Sequence, residues 1–354
     1  MAEIPEIGKV SADIFSEIIF PRLGAKNSDV LVGPAHGTDV GITRIGDMAV
    51  SITTDPVFIV PEYGWERAAW FAIHILASDS ATSGLKPRYI SIDMNLPMSM
   101  TKDQLAIMWN TMHQECEKLG INVITGHTGR YENCHYPMVG GATVIGTGGL
   151  DEYVTPRFAR PGDKVIITKG PAIEAVGIFA AVFADMLEEK FGHEFRLKAE
   201  SIFYKMTTVE DAMTAVEVGV RDDGVSAMHD ATECGIWGGL YELAAAAKLG
   251  VRVELEKIVV EDTVKEICDH FGIDPYASIS EGTLIILCRP HKADAVVQAL
   301  AARGIRSSVA GEMTEASKGM VLVKEGRETK LEHPIVDPFW RAFYNALPGD
   351  KSGG

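Results

Sequence analysis

The chain has 354 residues, 46% of them hydrophobic and 23% charged, which suits two folded domains and excludes a largely disordered protein. Its 33 Lys+Arg against 49 Asp+Glu leave a net charge of −16, which opposes general binding to nucleic-acid phosphates or to an anionic membrane surface, though not to a nucleotide at one site. Five scattered cysteines (Cys116, Cys134, Cys234, Cys268 and Cys288) form no CxxC pair, as expected in a reducing compartment. The opening MAEIPEIGKVSADIF does not read as a secretory signal, and the longest apolar stretch, at 68–77, is too short to span a bilayer, so a cytoplasmic location is expected.

In chain order, short β-rich runs come first, at Val30–Val32, 49–53, 89–94, 123–125 and 143–145. Between them, 65–77 and Lys102–Leu119 have helical spacing; in the second, Leu105, Met108, Trp109, Met112 and Cys116 recur every three or four positions and Gly120 ends the helix. A Pro/Gly-rich seam, TPRFARPGD at 155–163, marks a domain boundary. We therefore expect an N-terminal domain over 1–156, a C-terminal domain over 157–340 and a tail over 341–354. Beyond the seam, strand and helix alternate: Lys164–Thr168 with 172–187, 225–228 with 235–249, and Leu284–Cys288 with 291–302. This pattern predicts an α/β or α+β layer.

Four polar segments end hydrophobic runs of the first half: GPAHGTDVG (33–41), SITTDP (51–56), ASDSATSG (77–84) and TGHTGR (125–130). Asp39 sits in a glycine-rich loop, and Asp55 precedes a proline that favours extended or turn backbone. Asp79 is the most unusual, being the only formally charged residue between positions 68 and 85 and lying near the end of an apolar helix. A carboxylate there needs a partner, a hydrogen bond or a metal, and it opposes the helix dipole. Singly, each acid also reads as a turn or cap. Were the three to converge to about 4 Å, each pair would repel by about 4 kcal/mol at an effective dielectric of about 20, which a divalent cation would relieve. Hard oxygens with few His or Cys nearby favour Mg²⁺ over Zn²⁺. In TGHTGR, read as a glycine-rich turn, Thr128 and Arg130 suit phosphate oxygens, and Lys9 near the start could also reach a phosphate.

In the second half, SAMHDATECGIWGGLYELA (226–244) runs from a strand into a helix, with His229 and Asp230 at the strand end and Thr232 a plausible N-cap. Asp230 is the candidate catalytic residue. Glu281, in EGTLIIL (281–287), reads as a strand-entry turn. The Walker, dinucleotide-fold GxGxxG, HExxH and GxSxG patterns are absent.

Taken together, IIFPRLG (18–24), GTDVGI (37–42), TTDP (53–56), SDSATSGLKPRYIS (78–91), GINVITGHT (120–128), ARPGDKVIITKG (159–170) and MHDATECGIWGGLYELA (228–244) resemble the PurM/HypE (AIR synthase-related) superfamily, HypE most closely. Thiamine-monophosphate kinase and selenophosphate synthetase are more distant members. The resemblance implies a PurM-like two-domain fold, and a homodimer whose N-terminal halves pair into a β-barrel. It also implies ATP with Mg²⁺ held by the acidic loops. It carries Asp39, Asp55 and Asp79 over as metal or phosphate ligands, and Asp230 as a nucleotide- or substrate-site residue.

The chain departs from HypE in several places. His127 replaces the acid of a GDT segment, GKVSAD (8–13) stands where a glycine-rich opening is usual, and Glu233 replaces an arginine. The reactive C-terminal cysteine of HypE is absent, the last cysteine being Cys288. HypE's own reaction is therefore not expected. The function expected is ATP-dependent activation of an acceptor, an amide-like oxygen or another group, by phosphoryl transfer. A small-molecule kinase and a non-catalytic nucleotide-binding maturation factor are the alternatives.

Overall fold

The structure, a computed structural model, describes residues 12–347 and builds them around two sheets. After the short helix α1 (Ala12–Ile14), the first sheet contains β1 (Val30–Val32), β2 (Gly41–Ile45), β3 (Met48–Phe58), β4 (Lys86–Leu96), β5 (Asn122–Arg130) and β6 (Met138–Gly149), in the order β1-β2-β3-β6-β4-β5. Only the β4–β5 pair is parallel. Along β3 the residues alternate: Ala49, Ser51, Thr53 and Val57 are buried, whereas Met48, Ile52 and Thr54 are exposed. This period of two separates a core face from an outer face. Helices α2 (Trp65–Ala81) and α3 (Lys102–Leu119) cover the core face. A capping box between Thr101 and Gln104 starts α3, and Gly120 closes it in the left-handed conformation.

The second sheet holds β7 (Lys164–Thr168), β8 (Val225–Asp230), β9 (Gly250–Glu254), β10 (Leu284–Cys288), β11 (Ser307–Thr314), β12 (Met320–Lys324) and β13 (Arg327–Lys330), in the order β13-β12-β9-β11-β7-β10-β8. Its helices are α4 (Ile173–Val182), α5 (Ala184–Phe191), α6 (His193–Ile202), α7 (Val209–Glu217), α8 (Gly235–Ala247), α9 (Asp262–Phe271), α10 (Ala293–Ala302) and α11 (Pro338–Ala346). Alternate residues of β10 enter different cores: Leu284 and Ile286 join a large cluster with α4 and α9, while Ile285 and Leu287 join a second cluster with α8. A strand covered on both faces reads as a continuous apolar run, which is why Leu284–Cys288 was legible.

The mixed α/β architecture is as expected, with three local differences. The helix expected over 172–187 is two helices, because Phe183 leaves helical backbone between α4 and α5. Helix α11 runs across position 340, where the tail was expected to begin. TGHTGR is not a turn but the end of β5. A Cβ at Gly126 would lie 2.2 Å from the Ile92 carbonyl oxygen, so this glycine permits close strand pairing rather than cradling a ligand. Lys9, most of GKVSAD and the terminal GDKSGG lie outside the described residues.

Candidate functional site

The acids singled out in the sequence meet at the junction of the two sheets. Asp39 lies in the loop between β1 and β2, and Asp55 projects from the core face of β3, between Thr53 and Val57. Asp79 occupies the last turn of α2, and Asp230 ends β8 with 1% of its surface exposed. The Thr53 hydroxyl ties two of these segments together, 3.1 Å from the Asp39 carbonyl oxygen and 3.2 Å from Asp79 Oδ2. Glu281, fully buried in the turn before β10, joins the cluster; its main-chain N–H donates to Glu174 Oε2 at 3.0 Å.

This crowding shows in the protonation equilibria. Burial first, then the charges of Asp230, Asp39, Asp55 and Glu281, push the Asp79 carboxyl well above its ordinary range. Glu281 is pushed up by burial, then by Asp230 and Glu174, against a hydrogen bond from Ser78 and the charge of Lys169. A histidine offsets some of this negative charge. His229 Nδ1 stands 2.9 Å from the Asp39 carboxylate, and its Nε2 stands 3.2 Å from Glu242 Oε2 on α8. Burial alone would lower the His229 pKa; the Asp39 charge and the hydrogen bonds to Asp39 and Glu242 reverse this and hold it well above the usual value.

Among the described residues, one group offers metal-ligand atoms within 4.8 Å of one another: Asp39, His229 and Asp230. At that separation the Asp39 and Asp230 carboxylates repel by about 3.5 kcal/mol at an effective dielectric of about 20. Carboxylate oxygens held together against that repulsion are a donor set for a hard divalent cation, so the residues present fit Mg²⁺.

Asp39, Asp55, Asp79 and Asp230 are thus brought together. Thr128 and Arg130 are not. Both are exposed on β5, which is separated from β3 by β6 and β4, so a span of roughly 14 Å divides them from Asp55 within one chain. The Arg130 guanidinium donates to the Met100 carbonyl oxygen, and His127 Nε2 lies 2.7 Å from the Tyr131 hydroxyl. Thr232 does not cap α8. Cys234 holds that position, in left-handed backbone, and its N–H donates to the Asp337 carboxylate at 2.7 Å. Glu281 and His229 were visible in sequence without a role, and Glu242 was not, since nothing in its helical context sets it apart.

Known proteins resemble most of this chain. Residues 37–147 match the N-terminal domain of AIR synthase related proteins, and 160–324 match the C-terminal domain. The chain belongs to this family. Curated relatives include the carbamoyl dehydratase HypE of Rhizobium leguminosarum, 25% identical over 283 residues (77% of this chain, 75% of the relative), and that of Escherichia coli, 25% identical over 303 residues (84% of each). Among solved structures, a HypE–HypF complex superposes with a TM-score of 0.72 at 18% identity, covering 91% of this chain and 99% of the other. HypE in complex with ATP gives 0.65 at 21% identity, covering 94% and 97%. ThiL complexed with AMPPCP and TMP gives 0.67 at 17%, covering 85% and 90%. The fold is therefore the PurM fold of HypE and ThiL. Among the described residues, no helix is long and apolar enough to cross a membrane.

Proposed function

We propose that this protein is a Mg-ATP-dependent enzyme that activates an acceptor, an amide-like oxygen or a comparable group, by phosphoryl transfer. The observation that carries this reading is the convergence of Asp39, Asp55, Asp79, Asp230 and Glu281 from both halves of the chain, at a cost in mutual repulsion that a bound cation removes. When bound, Mg²⁺ supplies charge neutralisation for the nucleotide phosphates during transfer. Asp39 and Asp230 hold the cation between them, and Asp55 and Asp79 line the same space. Asp230, at the end of a buried strand, also orients the acceptor or takes its proton. ATP in a HypE complex and AMPPCP in a ThiL complex support a nucleotide here.

A homodimer belongs to this reading. The outer face of the first sheet leaves Met48, Ile52 and Tyr89 exposed by 46%, 40% and 39%, apolar surface suited to a second copy. Thr128 and Arg130, at the exposed edge, reach nucleotide phosphates only from such a copy. The HypE–HypF complex supports a protein partner. The ThiL complex with TMP favours a second reading, a kinase acting on a small phosphorylated molecule.

Calorimetric titration of ATP with and without Mg²⁺, followed by assay of ADP formation with carbamoylated thiols and with small phosphate monoesters, tests these readings. Mg-dependent ATP binding with ADP released only alongside one acceptor class is expected. Absence of Mg-dependent binding overturns the proposal, and binding without turnover on any acceptor makes the protein a nucleotide-dependent maturation factor instead.

A further inference from the structure

Asp39 belongs to the first half of the chain, yet its carboxylate is held from the second. On its own side, the Thr53 hydroxyl reaches the main-chain carbonyl oxygen of Asp39, at 3.1 Å, rather than its carboxylate. Across the junction, His229 Nδ1 meets the carboxylate at 2.9 Å, and His229 is braced in turn, its Nε2 lying 3.2 Å from Glu242 Oε2. The other oxygen of Glu242 lies 3.6 Å from His333 Nε2. A backbone contact falls at the same helix residue. Gly37, two positions before Asp39 and at φ +70°, sits so close to α8 that a Cβ there would lie 2.4 Å from the Glu242 carbonyl oxygen. Side chain and main chain of Glu242 therefore locate the Asp39 loop twice, independently of any ligand.

We propose that His229, braced by Glu242, is a positioning residue that carries Asp39 across the junction and sets the Asp39–Asp230 spacing at which a divalent cation is received. It does not ligate the cation, although it lies within 4.8 Å of both acids, because each ring nitrogen already faces a carboxylate. Partners that orient a ligand in this way commonly change metal affinity by about 10–100-fold when lost. The proposal rests on the reading of the acidic junction as a cation site.

Two substitutions separate positioning from general support of the fold. An asparagine amide places its nitrogen near the location of histidine Nδ1, whereas a glutamine amide reaches the location of Nε2. His229→Asn therefore keeps a donor toward Asp39, and His229→Gln keeps only the one toward Glu242. Binding of Mn²⁺ alone to the full chain, followed by electron paramagnetic resonance, should weaken by about 10-fold or more in His229→Gln and by less than about 3-fold in His229→Asn. Glu242→Ala, on the half-exposed side of the brace, should fall between them. Pulsed spectra of Mn²⁺ on the wild-type chain should lack imidazole nitrogen coupling. Equal losses in the Asn and Gln variants, wild-type affinity in the Gln variant, or a nitrogen coupling would each overturn the proposal.

A metal-free measurement separates this proposal from the reading beneath it. In EDTA, the Tm shift of the Asp39→Asn/His229→Gln double variant should depart by about 2 °C or more from the sum of the single shifts, as residues in direct contact do. Additive shifts overturn the positioning role. A wild-type chain that binds no Mn²⁺ but shows the coupling refutes the cation site and leaves the His229–Asp39 clamp standing.

Discussion

Asp79→Asn removes a carboxyl whose ionised form is disfavoured in the metal-free fold and, on the proposed reading, serves the cation-bound one. The Asp79 carboxyl faces Asp230, Asp39, Asp55 and Glu281, and burial adds to their repulsion. Asp39 and Asp230, within 4.8 Å of each other, set the scale at about 3.5 kcal/mol per close pair at an effective dielectric of about 20. Because Asp79 shares its proton demand with these neighbours, a net gain of about 2 kcal/mol is expected on neutralising it, a Tm rise of about 3 °C for a chain of 354 residues. Asparagine keeps an oxygen to accept the Thr53 hydroxyl, so that bond is not lost. The pH dependence carries the sign. A carboxyl whose folded-state pKa is raised is protonated in both states below the usual carboxylate range, and wild-type stability falls as pH climbs from about 4 through the raised value. The variant has no such fall. Scanning calorimetry in EDTA should therefore find little difference between the two proteins at pH 4 and a difference that widens as pH rises. Added Mn²⁺ should raise the wild-type Tm and leave the variant nearly unmoved. A variant with the wild-type pH slope, or with an undiminished response to Mn²⁺, would refute the repulsive cluster.

Asp55→Asn should weaken Mg-ATP binding by about 10-fold or more in calorimetric titration, and unchanged affinity would remove Asp55 from the site. His74 is buried, with its ring stacked 4.0 Å from Trp70 and its nitrogens facing Thr207 and Glu115, and burial holds its pKa below the usual value. Its neutral form is thus the folded one, so stability is present above pH of about 6.5 and is lost as pH falls below that through the lowered folded value. The urea midpoint of the wild type should drop between pH 7 and 5.5, and His74→Gln should flatten that drop. Phe339, fully buried beside Phe179 and Phe343, fastens α11 to the second half, and Phe339→Ala should cost about 3–5 kcal/mol in urea unfolding. A loss under 1 kcal/mol would show that α11 docks weakly.

What the sequence disclosed about the site follows from where each charge sits. Asp79 was legible because its neighbours in sequence are wrong for a carboxylate, being apolar for a whole helix around one charge. His229, Glu242 and Glu281 have ordinary local surroundings, and become a clamp and a fifth acid only when β8, α8 and β10 meet the first half of the chain. Glycines misled for a related reason. Gly126 lets β5 run close to β4, although a glycine in TGHTGR equally suits a phosphate turn, because the residue relieves backbone crowding whatever the crowding atom is. The α4–α5 break at Phe183 carries neither glycine nor proline, so it had no local signal strong enough to read. Single-element patterns thus revealed an acid whose own segment resents the charge. The residues that hold the acids in place are set by the junction, and the Gly37–Glu242 contact shows why: the spacing of Asp39 from Asp230 depends on the packing of one half on the other, a quantity that no window of sequence contains.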